Sequence, residues 1–327
     1  MQISNWQTEL QQSIRDPTTL LEQLGLATAD LPLANTSLST FPIRIPPHFL
    51  ANIRGGDPGD PLLRQVLPLL AEDRQQPGYC TDPLEELKKQ TAPGVLHKYH
   101  GRVLLITTGA CAIHCRYCFR RHFPYAENHT AKNAWGPALD YIRNDPSITE
   151  VILSGGDPLM LADDRLDHLL NLLGEIGHLK RLRIHTRIAS VLPSRITDRL
   201  LEILAATAIR TVLVNHCNHP QEIDELVGMT FDRIRACGIT LLNQTVLLHG
   251  VNDDASVLTA LSERLLQYGV LPYYLHVLDK VAGAGHFEVA METARSLQEN
   301  MRRQLPGYLV PRLVQEVVGA PYKIPVL

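Results

Sequence analysis

The sequence predicts an α/β fold organised on a parallel sheet, preceded by a loop-rich, mostly helical segment. Three observations carry this. Residues 1–95 hold half of the chain's 22 prolines, including the pair Pro46 and Pro47, whereas from Arg102 onward short β-branched runs alternate with longer amphipathic stretches. Six such alternations follow one another, and a helix at every connection demands parallel strands, because antiparallel hairpins need none. The chain has 327 residues, 45% hydrophobic and 20% charged, enough for one large domain of roughly 200 to 250 residues plus an appended segment.

Amphipathic stretches at Asn5 to Ser13 and Pro61 to Glu72 are the helical candidates of the first segment. The runs Val103 to Thr107, Val151 to Ser154, Leu182 to Ile188, Thr211 to Val214, Thr240 to Leu248 and Tyr273 to Leu278 read as strands. Helices are expected at Ala131 to Asn144, Arg165 to Ile176, Ser194 to Ala206, Gln221 to Cys237, Ser256 to Tyr268 and Phe287 to Gln304, with Ser194 after Pro193 as an N-cap. Periodicity leaves an incomplete barrel and a doubly wound plane equally open. In both, a ligand site lies at the C-terminal ends of the strands.

A formal net charge of -3 excludes a basic nucleic-acid binder. The N-terminus lacks the cationic start and apolar core of a signal peptide, and no run approaches the ~18 apolar residues of a membrane span, so a cytoplasmic location is expected. Six cysteines in such a chain are expected to be free thiols.

Three of them, Cys111, Cys115 and Cys118, fall in the loop after the first strand. Thiolates at this spacing can wrap an iron-sulfur cubane, and with three ligands instead of four one iron keeps an open position. Zinc competes on spacing alone, since His114 or His122 could close a four-ligand site. Cys80, Cys217 and Cys237 read as small core residues. After the second strand, Ser154-Gly155-Gly156-Asp157 is a turn whose glycines let backbone approach a ligand. His216 and Gln244 lie on or just past the fourth and fifth strands; alone, each reads as a satisfied polar residue.

The three-cysteine loop, with Tyr117 before its last cysteine, resembles the signature of radical S-adenosylmethionine (SAM) enzymes. That resemblance implies a partial (β/α)6 TIM-like barrel, a [4Fe-4S] cluster on Cys111, Cys115 and Cys118, and S-adenosyl-L-methionine on the open iron. Ser154, Gly155, Gly156 and Asp157 resemble the motif that meets the methionine amino group, and His216 and Gln244 match positions that contact S-adenosylmethionine. Further matches run from Leu96 to Thr107, through Leu271 to Tyr274 and Gly285 to Phe287, to the tail around Lys323. They narrow the resemblance to the lysine 2,3-aminomutase family.

That family implies pyridoxal 5′-phosphate held as an imine by Lys323, with its phosphate on Lys98, Tyr99 and Arg102. It implies Arg120 on the substrate α-carboxylate, and Asp279 and Glu316 on a distal ammonium. The implied reaction converts L-lysine to β-lysine by migration of the α-amino group. Two departures stand out: Lys98 replaces the arginine of clostridial-type members, losing a bidentate donor, and Glu316 replaces an aspartate. The Glu316 departure and the short tail resemble the branch that supplies (R)-β-lysine for elongation factor P. The expected partners are L-lysine, elongation factor P with its lysyl ligase, an electron donor such as flavodoxin, and further copies of the chain in a homo-oligomer. The expected organisation is an appendage (1–95), a barrel (96–305) and a tail (306–327). Other readings are an aminomutase for free lysine or another diamino acid, and a redox-sensing module that binds zinc or an iron-sulfur cluster.

Overall fold

The computed structural model describes residues 5–29, 31–125 and 135–327. Ten strands form one sheet in sequence order: β1 (Gln90–Ala92), β2 (Val95–Tyr99), β3 (Arg102–Thr108), β4 (Glu150–Gly155), β5 (Arg181–Thr186), β6 (Arg210–His216), β7 (Thr240–Val246), β8 (Leu271–His276), β9 (Arg312–Gln315) and β10 (Ile324–Pro325). Strands β3 to β9 are parallel, and β1, β2 and β10 add antiparallel edges. Every strand from β2 to β10 contributes to the wall of one internal cavity. The sheet is therefore curled around that cavity, which decides for the partial barrel over the plane.

The six expected strands are present as β3 to β8. The parallel run continues into a seventh, β9, whose four residues are too short to stand out from their surroundings. Five short helices precede the sheet: α1 (Trp6–Gln11), α2 (Pro17–Gln23), α3 (Thr36–Thr40), α4 (Pro47–Ala51) and α5 (Pro61–Arg64). The connecting helices are α6 (Gly136–Asn144), α7 (Asp163–Gly174), α8 (Ile188–Val191), α9 (Asp198–Ala206), α10 (Glu225–Ala236), α11 (Ala255–Gln267) and α12 (Met291–Gln304). Residues 131–134 of the first expected helix lie outside the described residues.

Local hydrogen bonding explains where element ends differ from expectation. The strand read through Ile188 stops at Thr186, whose hydroxyl accepts from Ile188 N (3.0 Å) and starts α8. Thr197, not Ser194, caps α9, accepting from Leu200 N at 3.1 Å, because Pro193 opens a separate 3-10 turn. Asp224 and Asp254 cap α10 and α11 in the same manner. Cys80 is exposed, unlike the core residue expected; Cys217 is buried and Cys237 half-buried.

Leu20, Ile45, Phe49, Leu62 and Leu63 before the sheet are almost fully buried and share one apolar core with Val103, Leu105, Val151 and Leu153. Full burial of each such side chain contributes about 1.5–3 kcal/mol. A buried charged knot adds direction to this packing. Arg116 donates to Glu72 through Nε (2.8 Å) and Nη2 (2.6 Å), and Arg121 Nη2 reaches the same carboxylate at 2.7 Å. The leading segment is thereby tied to the cysteine loop. Glu72→Gln leaves two buried guanidinium groups without a counter-charge and is expected to cost about 3–5 kcal/mol, read as a lower midpoint in urea unfolding.

Candidate active site

The cavity has a volume of about 550 Å³ and runs from the barrel interior to the C-terminal ends of the strands. Cys111, Cys115, Cys118, Arg120, His216, Gln244, Asp279, Glu316 and Lys323 all line it, as do Lys98, Tyr99, Arg102 and the segment Ser154 to Asp157. The structure thus brings together residues up to 225 positions apart in the chain (98 to 323).

The thiol loop is held from outside. His114 N donates to Arg44 O (3.1 Å), Arg116 N to Gln65 O (2.8 Å) and Arg44 Nη1 to Cys111 O (2.9 Å). Behind it, Asp157 N donates to Ala110 O (2.8 Å) and Gly156 N to Thr108 O (2.7 Å), locking the end of β4 against the loop. A Cβ at Gly156 would stand 2.4 Å from Ala110 O, so glycine is required for this approach. Burial and the neighbouring thiols push Cys111 well up and Cys118 up to about 11. Three crowded thiols of this kind ionise when a metal supplies the opposing charge.

Each imidazole that could close a zinc site has one ring nitrogen against a backbone carbonyl. His114 Nδ1 lies 2.7 Å from Pro42 O, and His122 Nε2 lies 3.1 Å from Ala282 O. Among the described residues no three His, Cys, Asp or Glu side chains converge as ligands of a single ion. The donor set in the loop is three thiols alone, which fits a cluster with one open iron.

Asp157 is consumed within the protein. Its carboxylate accepts from Thr186 Oγ1 (2.7 and 2.9 Å), Arg187 N (2.8 Å) and Leu159 N (3.1 Å), while burial raises it to about 6. It shapes the turn that carries Gly155 and Gly156 and has little left for a ligand. His216 Nε2 meets Tyr117 OH at 3.1 Å, and burial together with the Arg187 charge holds its imidazole neutral, at about 3. Arg187 also donates to Cys115 Sγ (2.7 Å) and Glu222 (2.9 Å).

At the opposite wall, charges alternate in one chain of contacts. Arg120 grips Glu86 through Nε (2.6 Å) and Nη2 (2.9 Å), and its Nη1 donates to Ser154 Oγ at 3.0 Å. Lys98 Nζ stands 3.0 Å from Glu86 and 2.9 Å from Glu316. Glu316 in turn pairs with Lys323. Burial works against ionisation of Glu316, but Lys323 and Lys98 overcome it and hold the acid far below the carboxylate range. Lys98 therefore spans two acids, where a phosphate donor was expected, and keeps one N–H of its three for a ligand. Tyr99 and Arg102 stack beside it, the guanidinium carbon 4.8 Å from the ring centre.

Residue-by-residue reading missed Glu86 and Arg187. Glu86 follows Asp82 and Glu85 and looks like one more solvated acid. Only the buried pairing with Arg120 distinguishes it.

A model of the Radical SAM superfamily matches residues 105–261. L-lysine 2,3-aminomutase of Escherichia coli is 48% identical over 98% of this chain and 94% of its own length. The L-lysine 2,3-aminomutase of Haemophilus influenzae is likewise 48% identical, with the same coverage of both chains. The chain belongs to the lysine 2,3-aminomutase family. A solved radical SAM methyltransferase from Sphaerobacter thermophilus aligns over 68% of each chain at 17% identity and a TM-score of 0.48, a likeness too distant to argue from.

The cofactors of the lysine 2,3-aminomutase family are a [4Fe-4S] cluster, S-adenosylmethionine and pyridoxal phosphate. The donor chemistry fits each: three thiols for the cluster, a glycine-lined wall beside them for S-adenosylmethionine, and an amine among cationic and phenolic groups for pyridoxal phosphate. The family's members are isomerases. Among the described residues no helix is long and apolar enough to cross a membrane.

Burial, reinforced by the Glu316 charge against the opposing Lys323 and Lys98, raises Asp279 to about 7. Since the folded state then binds the extra proton, this group contributes stability that is lost as pH rises from about 4 to about 7. In urea unfolding of the apoprotein, Asp279→Asn is expected to flatten the decline of stability across that window.

Proposed function

We propose that the chain is a radical SAM L-lysine 2,3-aminomutase, converting L-lysine to β-lysine with its substrate held between Arg120 and the acids Asp279 and Glu316. The observation that carries the reading is that the three-thiol loop and Lys323 face one cavity. Arg120, braced along one edge by Glu86, turns Nη1 toward Ser154 and leaves an edge of its fork for a carboxylate. Asp279 and Glu316 supply the negative end that a buried ammonium requires. A substrate with a carboxylate at one end and an ammonium at the other is thereby stretched across the cavity, its β carbon between the two anchors.

Bound at Cys111, Cys115 and Cys118, a cluster with S-adenosylmethionine would supply a hydrogen-abstracting radical, and pyridoxal phosphate held by Lys323 would carry the migrating nitrogen. The chain's own contribution is placement and exclusion of water: Leu96, Ile152, Val246 and Leu278 line the walls between the polar groups. Lys98, Tyr99 and Arg102 stand ready for the phosphate, while Gly155, Gly156, His216 and Gln244 face the thiol loop's side of the cavity.

In anaerobic incubation with L-lysine, S-adenosylmethionine and dithionite, the reconstituted protein is expected to yield β-lysine. Lys323→Ala is expected to abolish it, and borohydride to fix a pyridoxyl mass on the peptide containing Lys323. Recovery of lysine unchanged, or of that mass on another lysine, refutes the assignment.

The finer reading is a cytoplasmic enzyme reduced by a flavodoxin-type donor, assembled as a homo-oligomer, whose (R)-β-lysine serves elongation factor P through its lysyl ligase. Its support is Glu316, one methylene longer than the usual aspartate. Chiral chromatography is expected to give the R product, transferred to elongation factor P when the ligase is present; the S product excludes this role.

A further inference from the structure

We infer that the outer face of the thiol loop, where Arg15 and Arg44 flank the stacked rings of Phe41 and His114, is the docking surface for the acidic face of a one-electron carrier protein. This rests on the aminomutase reading, whose cluster is reduced from outside the barrel, and adds the place where the electron enters.

The backbone sets the two cations against each other. Ile14 and Ile45 form an isolated antiparallel bridge, with N–H to O distances of 2.9 and 3.0 Å. Ile45 is fully buried, so the side chains one step along turn outward, and there Arg15 faces Arg44. Like charges directly opposite one another destabilise such a pair. Partial burial and the repulsion of Arg15 both lower Arg44 from the usual arginine range. Among the described residues neither arginine forms an ion pair with a carboxylate. Asp16, next in the chain, is turned to the start of α2, where it accepts from Thr19 N at 2.7 Å. Two cations held face to face without a counter-charge attract an anionic partner.

Their surroundings fit a protein better than a free ion. Phe41 and His114 stack with ring centres 5.1 Å apart, line the cavity and keep part of their surface in solvent, and Pro42 beside them is exposed. Aromatic rings together with arginine are the composition of interface centres. The chain as a whole carries a formal charge of -3, so an acidic partner is not drawn to it at large, and the arginine pair decides where that partner lands.

Arg44 also connects this surface to a cysteine of the loop. Its guanidinium donates to Cys111 O at 2.9 Å, and its own backbone O accepts from His114 N at 3.1 Å. A partner carboxylate on Arg44 therefore stands one side chain away from the backbone of Cys111. The inner side of the loop faces the cavity that substrate and cofactors fill, which leaves the outer side for a carrier of protein size. The step is outer-sphere: the carrier loses one electron, the cluster gains it, and no bond is made or broken.

The test mixes the anaerobically reconstituted protein with fully reduced flavodoxin, an acidic carrier, in stopped flow and follows bleaching of the cluster absorbance. At about 0.01 M salt, Arg15→Glu is expected to slow this reduction about tenfold or more. Arg44→Gln, whose amide keeps a donor for Cys111 O, is expected to slow it about threefold or more. At about 1 M salt, where screening leaves a reach of about 3 Å, the variants are expected to match wild type. The extent of reduction by excess dithionite is expected to be unchanged, which separates lost docking from a damaged cluster. Arg15 makes no hydrogen bond to the thiol loop, so its variant gives the readout even where Arg44→Gln loads poorly. Wild-type rates with flavodoxin in Arg15→Glu, a wild-type rate indifferent to salt, or no reduction of wild type by flavodoxin overturns the assignment. A wild type that dithionite cannot reduce, or that once reduced leaves S-adenosylmethionine whole, fails the aminomutase reading itself and takes this inference with it.

Discussion

The ion pairs that run from Arg120 through Glu86, Lys98 and Glu316 to Lys323 span the gap that the sheet leaves open. Strand β1 begins the sheet and β10 ends it, with no backbone pairing between them, so hydrogen bonds do not close the barrel. Lys98 on β2 and Glu316 after β9 meet instead at 2.9 Å. Taking charges out of water is expensive, and a single buried pair gains little on balance. Alternation changes this: each of Glu86, Lys98 and Glu316 has opposite charge on both sides, so its desolvation is offset twice. Removal of any inner member costs each of its two neighbours one ion pair.

The opposite side of the cavity depends on a different anchoring. The thiol loop is irregular backbone, and its polar groups are satisfied largely by the segment before the sheet: Arg44, Gln65 and Glu72 all reach it. Deeper in, Arg187, Glu222, Gln65, Asn218 and Tyr117 form a buried hydrogen-bonded network beside Cys115. The leading helices thus share a core with the barrel and also shape the loop that carries the thiols. A site needing geometry fixed to fractions of an ångström is served by such support from packed neighbours.

Strands β3, β4 and β6 were legible as short apolar, β-branched runs, and β5, β7 and β8, whose apolar residues are interrupted by polar ones, by their regular recurrence between amphipathic stretches. Their ends were overrun at Thr186 and Val246, where single side-chain hydrogen bonds and turns stop the strand without changing the hydrophobic pattern. The short strands β1, β2, β9 and β10 have two to five residues each, too few for a periodic pattern, and are defined by the hairpins that pair β1 with β2, β2 with β3 and β10 with β9. In the site, the cysteine spacing was legible as local chemistry, and Lys323, Arg120 and Asp279 through family resemblance. Glu86 and Arg187 left no signal, since an acid in an acidic stretch and an arginine after a strand look solvated.

The sequence by itself determined what depends on near neighbours: the strand-helix alternation, the three thiols of one loop, and the glycines that admit backbone contact at the end of β4. Tertiary structure decided what depends on distance along the chain. It curled the sheet around a cavity, set Lys98 against Glu316 across 218 positions, and gave the two acids at the far end unequal surroundings. The physical reason is that periodicity records which face of an element avoids water, whereas the partner of a buried charge is set by which elements that burial brings together.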